Sequence, residues 1–233
     1  MTMYEQIKQQ LPELLVIQNK LNLEVHESWV TQNFPWYRAA LIEATQAMGH
    51  FGWKWWKRET PDLDQVKFEL VDIFCFLLSD VMQTCWRKGV PVSGDSAHFE
   101  YVAGSYSRNL QSYDLDKFKP AVESFIRSCA GGSIPLHQFW GLCACIGLDW
   151  DELRLLYLGK QALNHLRQEN GYQDGTYIKI WDGREDNCHL MDLIDVTKFF
   201  KAHTVPAEEV AGHIKAQLQS IYDVIEVEHG QAA

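Results

Sequence analysis

No stretch of this 233-residue chain approaches the roughly 18 to 20 consecutive apolar residues that a bilayer-spanning helix requires. The opening MTMYEQIKQQLPELL also lacks the basic, apolar and small-residue zones of a secretory leader. A cytoplasmic protein with no membrane partner is the expectation. The six cysteines, at 75, 85, 129, 143, 145 and 188, include no CxxC pair. A chain of this length does not need covalent staples, so reduced, mostly buried thiols are expected rather than disulfides or a thiolate metal site. Basic charge is scarce: 21 Lys and Arg against 31 Asp and Glu give a formal net charge of -10. An extended nucleic-acid surface shows a net basic footprint, so nucleic acid is not an expected partner. A small anion is compatible, because a few local cations or a bound metal reverse the sign inside one pocket. Repeats, low-complexity tracts and linker-like segments are also missing, and residues 1–233 read as a single domain.

What is present is helical periodicity. Residues 3–24 place Leu11, Leu14, Leu15, Gln18, Leu21 and Asn22 at helical spacing. After Pro35, residues 36–50 and 64–87 repeat the pattern, the second through Val66, Leu70, Ile73, Leu77 and Val81. The short connection around Pro61 predicts that these two helices are antiparallel neighbours. Further helices are predicted over 115–129, as one or two over 136–168, and as one or two over 190–228. GTYIKIWDG reads as a short strand or an extended loop. The fold class is all-α: a helical bundle built around an antiparallel helix pair.

That pair carries the chemistry. Glu43 and Gln46 lie three residues apart on its first helix, Glu69 and Asp72 on its second, and residues so spaced share a helical face. Glu69 and Asp72 interleave with the apolar stripe, where carboxylates are costly unless a hard cation such as Mg2+ or Mn2+ accepts their oxygens. Two ordinary surface acids would satisfy the spacing equally well. Further on, Lys160, Asn164 and Arg167 share a helical face, followed by Tyr172, Tyr177 and Lys179 and the run Glu185-Asp186-Asn187. Such donors suit a polyphosphate, although a solvated helix face ending at Asn170-Gly171 has the same composition. The nine histidines contain no HxxxH or HxxEH pair and read as structural or surface groups. GWKWWK, residues 52–57, sets three indoles beside two lysines; core packing is the expected fate of one or two of them.

Taken together, IQNKLN (17–22), EATQ (43–46), WKWWK (53–57), ELVDIFCF (69–76) and the segment from KQALNHLRQENGY to GTYIKIWDGREDN (160–187) resemble the dimeric all-α dUTPases, relatives of the MazG-type nucleoside triphosphate pyrophosphohydrolases. The resemblance covers about residues 11–190 and leaves 191–233 as a C-terminal helical extension. It implies a homodimer that uses Mg2+, or Mn2+, to hydrolyse dUTP and dUDP to dUMP. It further implies that Glu43, Glu69 and Asp72 are metal ligands and catalytic groups, with Gln46 a fourth ligand through its amide oxygen. Gln18 and Asn22 would meet the uracil edge, with Phe76 and Trp56 beside the base. Lys57, Lys160, Arg167, Tyr172 and Lys179 would hold phosphates, with Asn164 in support. Two positions depart from the family pattern: Gln46 replaces a second glutamate, and Cys75 replaces a histidine. The departures leave two alternatives: a housecleaning pyrophosphatase acting on dCTP or a modified nucleotide, and a nucleotide-binding protein impaired in catalysis.

Overall fold

A computed structural model of the chain describes residues 2–92, 96–106, 113–197 and 205–231. These residues form nine α-helices and one two-stranded ribbon, in agreement with the all-α reading. They divide into two compact units, Met1–Leu153 and Arg154–Ala233.

In the first unit, α1 (Met3–Val25) opens with a capping box in which the Thr2 hydroxyl accepts from the Glu5 backbone N–H and the Glu5 carboxylate accepts from Thr2 N–H. Its buried stripe continues from Ile7, Leu11 and Leu14 directly into Gln18 and Asn22. The stripe therefore ends in two amides facing protein rather than water.

Helices α2 (Trp36–Phe51) and α3 (Leu63–Arg87) form the predicted antiparallel hairpin. Small residues let the two axes approach: Ala40, Ala44 and Ala47 of α2 are fully buried. The hairpin is clasped at its turn by Asp62, whose backbone N–H donates to the His50 carbonyl at 2.9 Å. The Asp62 carboxylate then caps α3 by accepting from Gln65 N–H. Gly52 ends α2 with φ of +86°, and a Cβ there would come within 2.8 Å of Glu59 Cβ. Only glycine turns the chain there without displacing Glu59. The unit is completed by α4 (Ser96–Tyr106), α5 (Phe118–Ala130) and α6 (Leu136–Cys145). Phe74 of α3 anchors its core against the rings of Phe139, Trp140 and Trp150.

The second unit holds most of α7 (Trp150–Glu169), then α8 (Asp186–Thr197) and α9 (Ala207–Gln231). The helical periodicity of 136–168 thus resolves into two helices, separated at Gly147, which has a φ of +72°. GTYIKIWDG supplies a minimal ribbon, Ile180–Trp181 paired antiparallel with Arg184–Glu185. Asp182 and Gly183 turn it with φ of 47° and 74°, the left-handed pair that a two-residue hairpin loop favours. Within this unit Gly159 leaves room for Ile194 and Leu190, whose δ1 carbons would lie 2.7 and 3.0 Å from an added Cβ. No helix among the described residues is long and apolar enough to cross a membrane.

Candidate active site

Antiparallel pairing sets the register of the site: each step forward along α2 is matched by an equal step back along α3. Near the turn, His50 meets Glu69. One to two turns further, Glu43 meets Glu69 and Asp72. At the far end, Trp36 meets Phe76. One oxygen each of Glu43, Glu69 and Asp72 lie within 4.8 Å of one another. Glu69 is only 8% exposed, so its charge is held largely away from bulk water. Oxygens sharing one octahedral Mg2+ at about 2.1 Å sit roughly 3 to 4 Å apart, and this cluster is compact enough to close on such an ion.

Gln46 completes the face. One end of its amide lies 3.2 Å from Glu43 Oε2 and 3.3 Å from Glu69 Oε2. With nitrogen at that end, the amide donates to both acids and offsets part of their repulsion. With oxygen there, three oxygens converge and a bound cation would offset their repulsion. His50 adds a further contact, with Nε2 3.3 Å from Glu69 Oε1. It is one helical turn past Gln46 and two past Glu43, and that spacing on one face is the signal by which the sequence marks it. A search for paired histidines passes over it.

Next to the acids lie the predicted base contacts. Gln18 Nε2 donates to Asn22 Oδ1 at 3.1 Å, Asn22 Nδ2 to Ser79 Oγ at 2.9 Å, and Ser79 Oγ to the Cys75 carbonyl at 3.0 Å. All three polar residues are buried, Gln18 at 3% and Asn22 at 7% exposure. The structure therefore ties the two amides to α3, one turn beyond Phe76. Phe76 stacks on Trp36 with centroids 6.2 Å apart and planes at 27°. Trp29 and Phe34 meet Trp36 edge-on.

The tryptophans of residues 53–56 are not core. Trp53, Trp55 and Trp56 are 50%, 89% and 58% exposed, which corrects the expectation that one or two would be buried. Their indoles pack edge-to-face on one another, Trp53 against Trp56 at 5.2 Å and Trp55 against Trp56 at 5.5 Å. Lys54 covers the Trp53 ring and pairs with Glu59, and Lys57 is exposed beside them. The backbone N–H of Lys54 holds the Glu59 carboxyl below its usual range.

In the second unit, the predicted phosphate residues form a connected network. Arg167 grips Asp186 with Nε and Nη2, both at 2.8 Å, and Asp186 is fully buried at the start of α8. Tyr177 donates its hydroxyl to Asp186 at 2.9 Å; burial and the neighbouring carboxylate raise its pKa. Arg167 Nη1 reaches Asn164 Oδ1 at 3.4 Å, and Lys160, 4% exposed, donates to Asn187 Oδ1 at 3.3 Å. Tyr172 is half exposed with the Arg167 guanidinium over its ring, and Lys179 pairs with Glu185 at 3.2 Å. Asp186 is the organising residue here. In the sequence it stands only as one member of an acidic run.

An all-α bundle with three carboxylates converging across a helix hairpin is consistent with the MazG-like nucleoside triphosphate pyrophosphohydrolases. The family model described as dUTPase matches residues 10–172, a span that takes in the hairpin, the amide relay and all of α7. The chain belongs to this all-α dUTPase family, and its reaction is the hydrolysis of dUTP. No curated protein matches the chain in sequence.

Proposed function

We propose that the chain is a Mg2+-dependent dUTP diphosphatase that also accepts dUDP, releases dUMP and works as a cytoplasmic homodimer. The carrying observation is the convergence of Glu43, Glu69 and Asp72 within 4.8 Å across the α2–α3 hairpin. The donor set fits a hard cation: three carboxylates and a neighbouring amide, with no sulfur or imidazole among the three converging ligand atoms. A bound Mg2+, or Mn2+, would supply neutralisation of phosphate charge and a more acidic bound water. Glu43, Glu69 and Asp72 would hold it, with Gln46 turning its oxygen inward.

Glu43 is the proposed acceptor for the proton of the attacking water, because Gln46 cannot act as a base. Gln18 and Asn22 would orient the uracil edge, while Phe76 and Trp56 would exclude water from the base. Lys57 is a proposed phosphate contact in the first unit, and within the second unit Lys160, Asn164, Arg167, Tyr172 and Lys179 are a proposed phosphate-binding cluster. Arg167 already donates two hydrogen bonds to Asp186, so its proposed share is the smaller. The family match runs through Leu153 as far as residue 172, which supports treating residues 10–172 as one functional domain, and 191–233 is proposed as its C-terminal extension. Exposed Val16 and Leu23, two turns apart on α1, are compatible with a second copy packing there.

Gln46 favours a second reading, nucleotide binding without turnover. Both readings face one experiment: phosphate products from dUTP, dUDP, dCTP, dTTP and UTP, with Mg2+ or with EDTA, in wild type, Glu69→Gln and Gln46→Glu. Selective Mg2+-dependent dUTP turnover lost in Glu69→Gln supports the proposal. An inactive wild type revived by Gln46→Glu supports the second reading.

A further inference from the structure

The hairpin face does not end at the acids. On α3, Phe76 follows Asp72 by one turn and Ser79, which is bonded to Asn22, follows Phe76 by another. On α2, Trp36 precedes Glu43 by two turns, about 10 Å along the axis. The Trp36–Phe76 stack thus lies between the acids and the amide relay, where the pyrimidine of a nucleotide would sit with its phosphates at the acids.

Two indoles belong to this aromatic cluster, and they differ in one respect. Trp29 Nε1 donates to Asn19 Oδ1 at 3.0 Å. Trp36 Nε1 is screened from water and has no acceptor among the described residues. A buried donor without a partner carries a desolvation penalty, and a bound molecule that brings an acceptor removes it. Trp140 Nε1 is likewise without an acceptor, but Trp140 is 3% exposed and enclosed by Phe74, Phe139, Tyr106 and Trp150, with no ligand-facing side. Trp36 is only partly buried and sits at the margin of the proposed nucleotide site.

We propose that Trp36 is a specificity-determining residue for the nucleobase, its indole N–H donating to O4 of uracil. The inference rests on the nucleotide-site reading above and adds to it a distinction that primary amides do not supply by themselves. A primary amide presents a donor and an acceptor side by side, whereas an indole nitrogen is a donor only. Cytosine presents an amino group in place of O4, so donor would face donor. A site that leaves a buried polar group unpaired rejects the wrong ligand more strongly than a merely tight one.

Calorimetric binding of dUMP and dCMP to wild type, Trp36→Phe and Trp140→Phe tests the assignment. Trp36→Phe keeps an aromatic ring against Phe76 and deletes the donor. It should weaken dUMP about tenfold, as one lost hydrogen bond predicts, and leave dCMP unchanged. Trp140→Phe should alter neither. A second arm changes the ligand: the deoxynucleotide of 2-pyrimidinone, which lacks both O4 and the N3 hydrogen, should bind wild type at least about tenfold more weakly than dUMP does and should lose nothing further in Trp36→Phe. Unchanged dUMP affinity in Trp36→Phe, an equal loss for dUMP and dCMP, or full-strength binding of the 2-pyrimidinone nucleotide would each overturn the assignment. Wild type that binds neither dUMP nor dUTP would instead overturn the nucleotide site itself.

Discussion

His50 Nε2 lies 3.3 Å from Glu69 Oε1, joining the last turn of α2 to the most buried acid of the proposed metal site. A contact of this kind fixes which carboxylate oxygen faces a ligand. Replacing such outer partners typically weakens metal binding ten- to a hundredfold. His50→Ala is therefore expected to reduce Mn2+ affinity about tenfold, read by titration calorimetry, with circular dichroism unchanged. Equal affinity in the variant would remove His50 from the site.

Gln46→Glu should separate metal binding from metal-free stability. Without metal, the substitution exchanges a donor between two acids for a fourth negative charge, at an expected cost of about 1 to 3 kcal/mol. Melting in EDTA should move down by several degrees, and Mg2+ should restore it with a higher apparent affinity than in wild type. An unchanged melting curve in EDTA would mean that the amide does not bridge Glu43 and Glu69.

Arg167 and Asp186 make the opposite case, a buried pair whose partners satisfy each other. Asp186→Ala removes the carboxylate that accepts from two nitrogens of a guanidinium whose side chain is only 12% exposed. The expected loss is about 3 to 5 kcal/mol in urea unfolding. A loss below about 1 kcal/mol would class the pair with ordinary surface bridges.

Asp80 gives a prediction with a sign in pH. Burial raises its folded pKa above the usual 3.8, opposed in part by Arg87. Above 3.8 the unfolded carboxyl ionises more readily than the folded one, so ionisation favours unfolding, and the penalty is fully developed above the folded pKa. It fades as pH falls, because both states are then protonated. Asp80→Asn should raise the melting temperature at pH 7, and the gain should shrink toward pH 4. A gain that is constant with pH would mean that the charge is not its source.

Thiol chemistry should sort by burial. Cys129 is pushed up to about 12 by burial, and Cys143 is raised further by full enclosure. Both remain protonated at pH 8 and should resist alkylation. Cys85 and Cys188, partly exposed, should label first, and mass spectrometry of the native protein reads the order directly.

The helix hairpin and its acids were legible in the sequence because both depend on local spacing. A period of three to four places Glu43 and Gln46 on one face and Glu69 and Asp72 on another, and a short loop brings the faces together. Gln18 and Asn22 were legible because they interrupt an apolar stripe at positions that must be buried. His50 was missed because its partner is 19 residues away on the other helix, and the local spacing that places it on the face of Glu43 and Gln46 does not by itself name that partner. Asp186 was missed as an organiser because the four hydrogen bonds to its carboxylate arrive from α7, from Tyr177 ahead of the ribbon and from its own helix start. The indoles of 53–56 were misjudged because hydrophobicity predicts burial only where some apolar surface is available to cover it, and the loop offers only its own rings.

The relay from Gln18 through Asn22 and Ser79 to the Cys75 carbonyl can run in only one direction. A carbonyl oxygen only accepts, so the serine hydroxyl must donate to it. Asn22 must then present its nitrogen to Ser79 and its oxygen to Gln18. The handedness of two otherwise reversible amides thus follows from a peptide group of α3, and a single Ser79→Ala change would remove the bond through which that group orients Asn22. Whatever the amides discriminate, they do so with an orientation lent to them by a helix backbone.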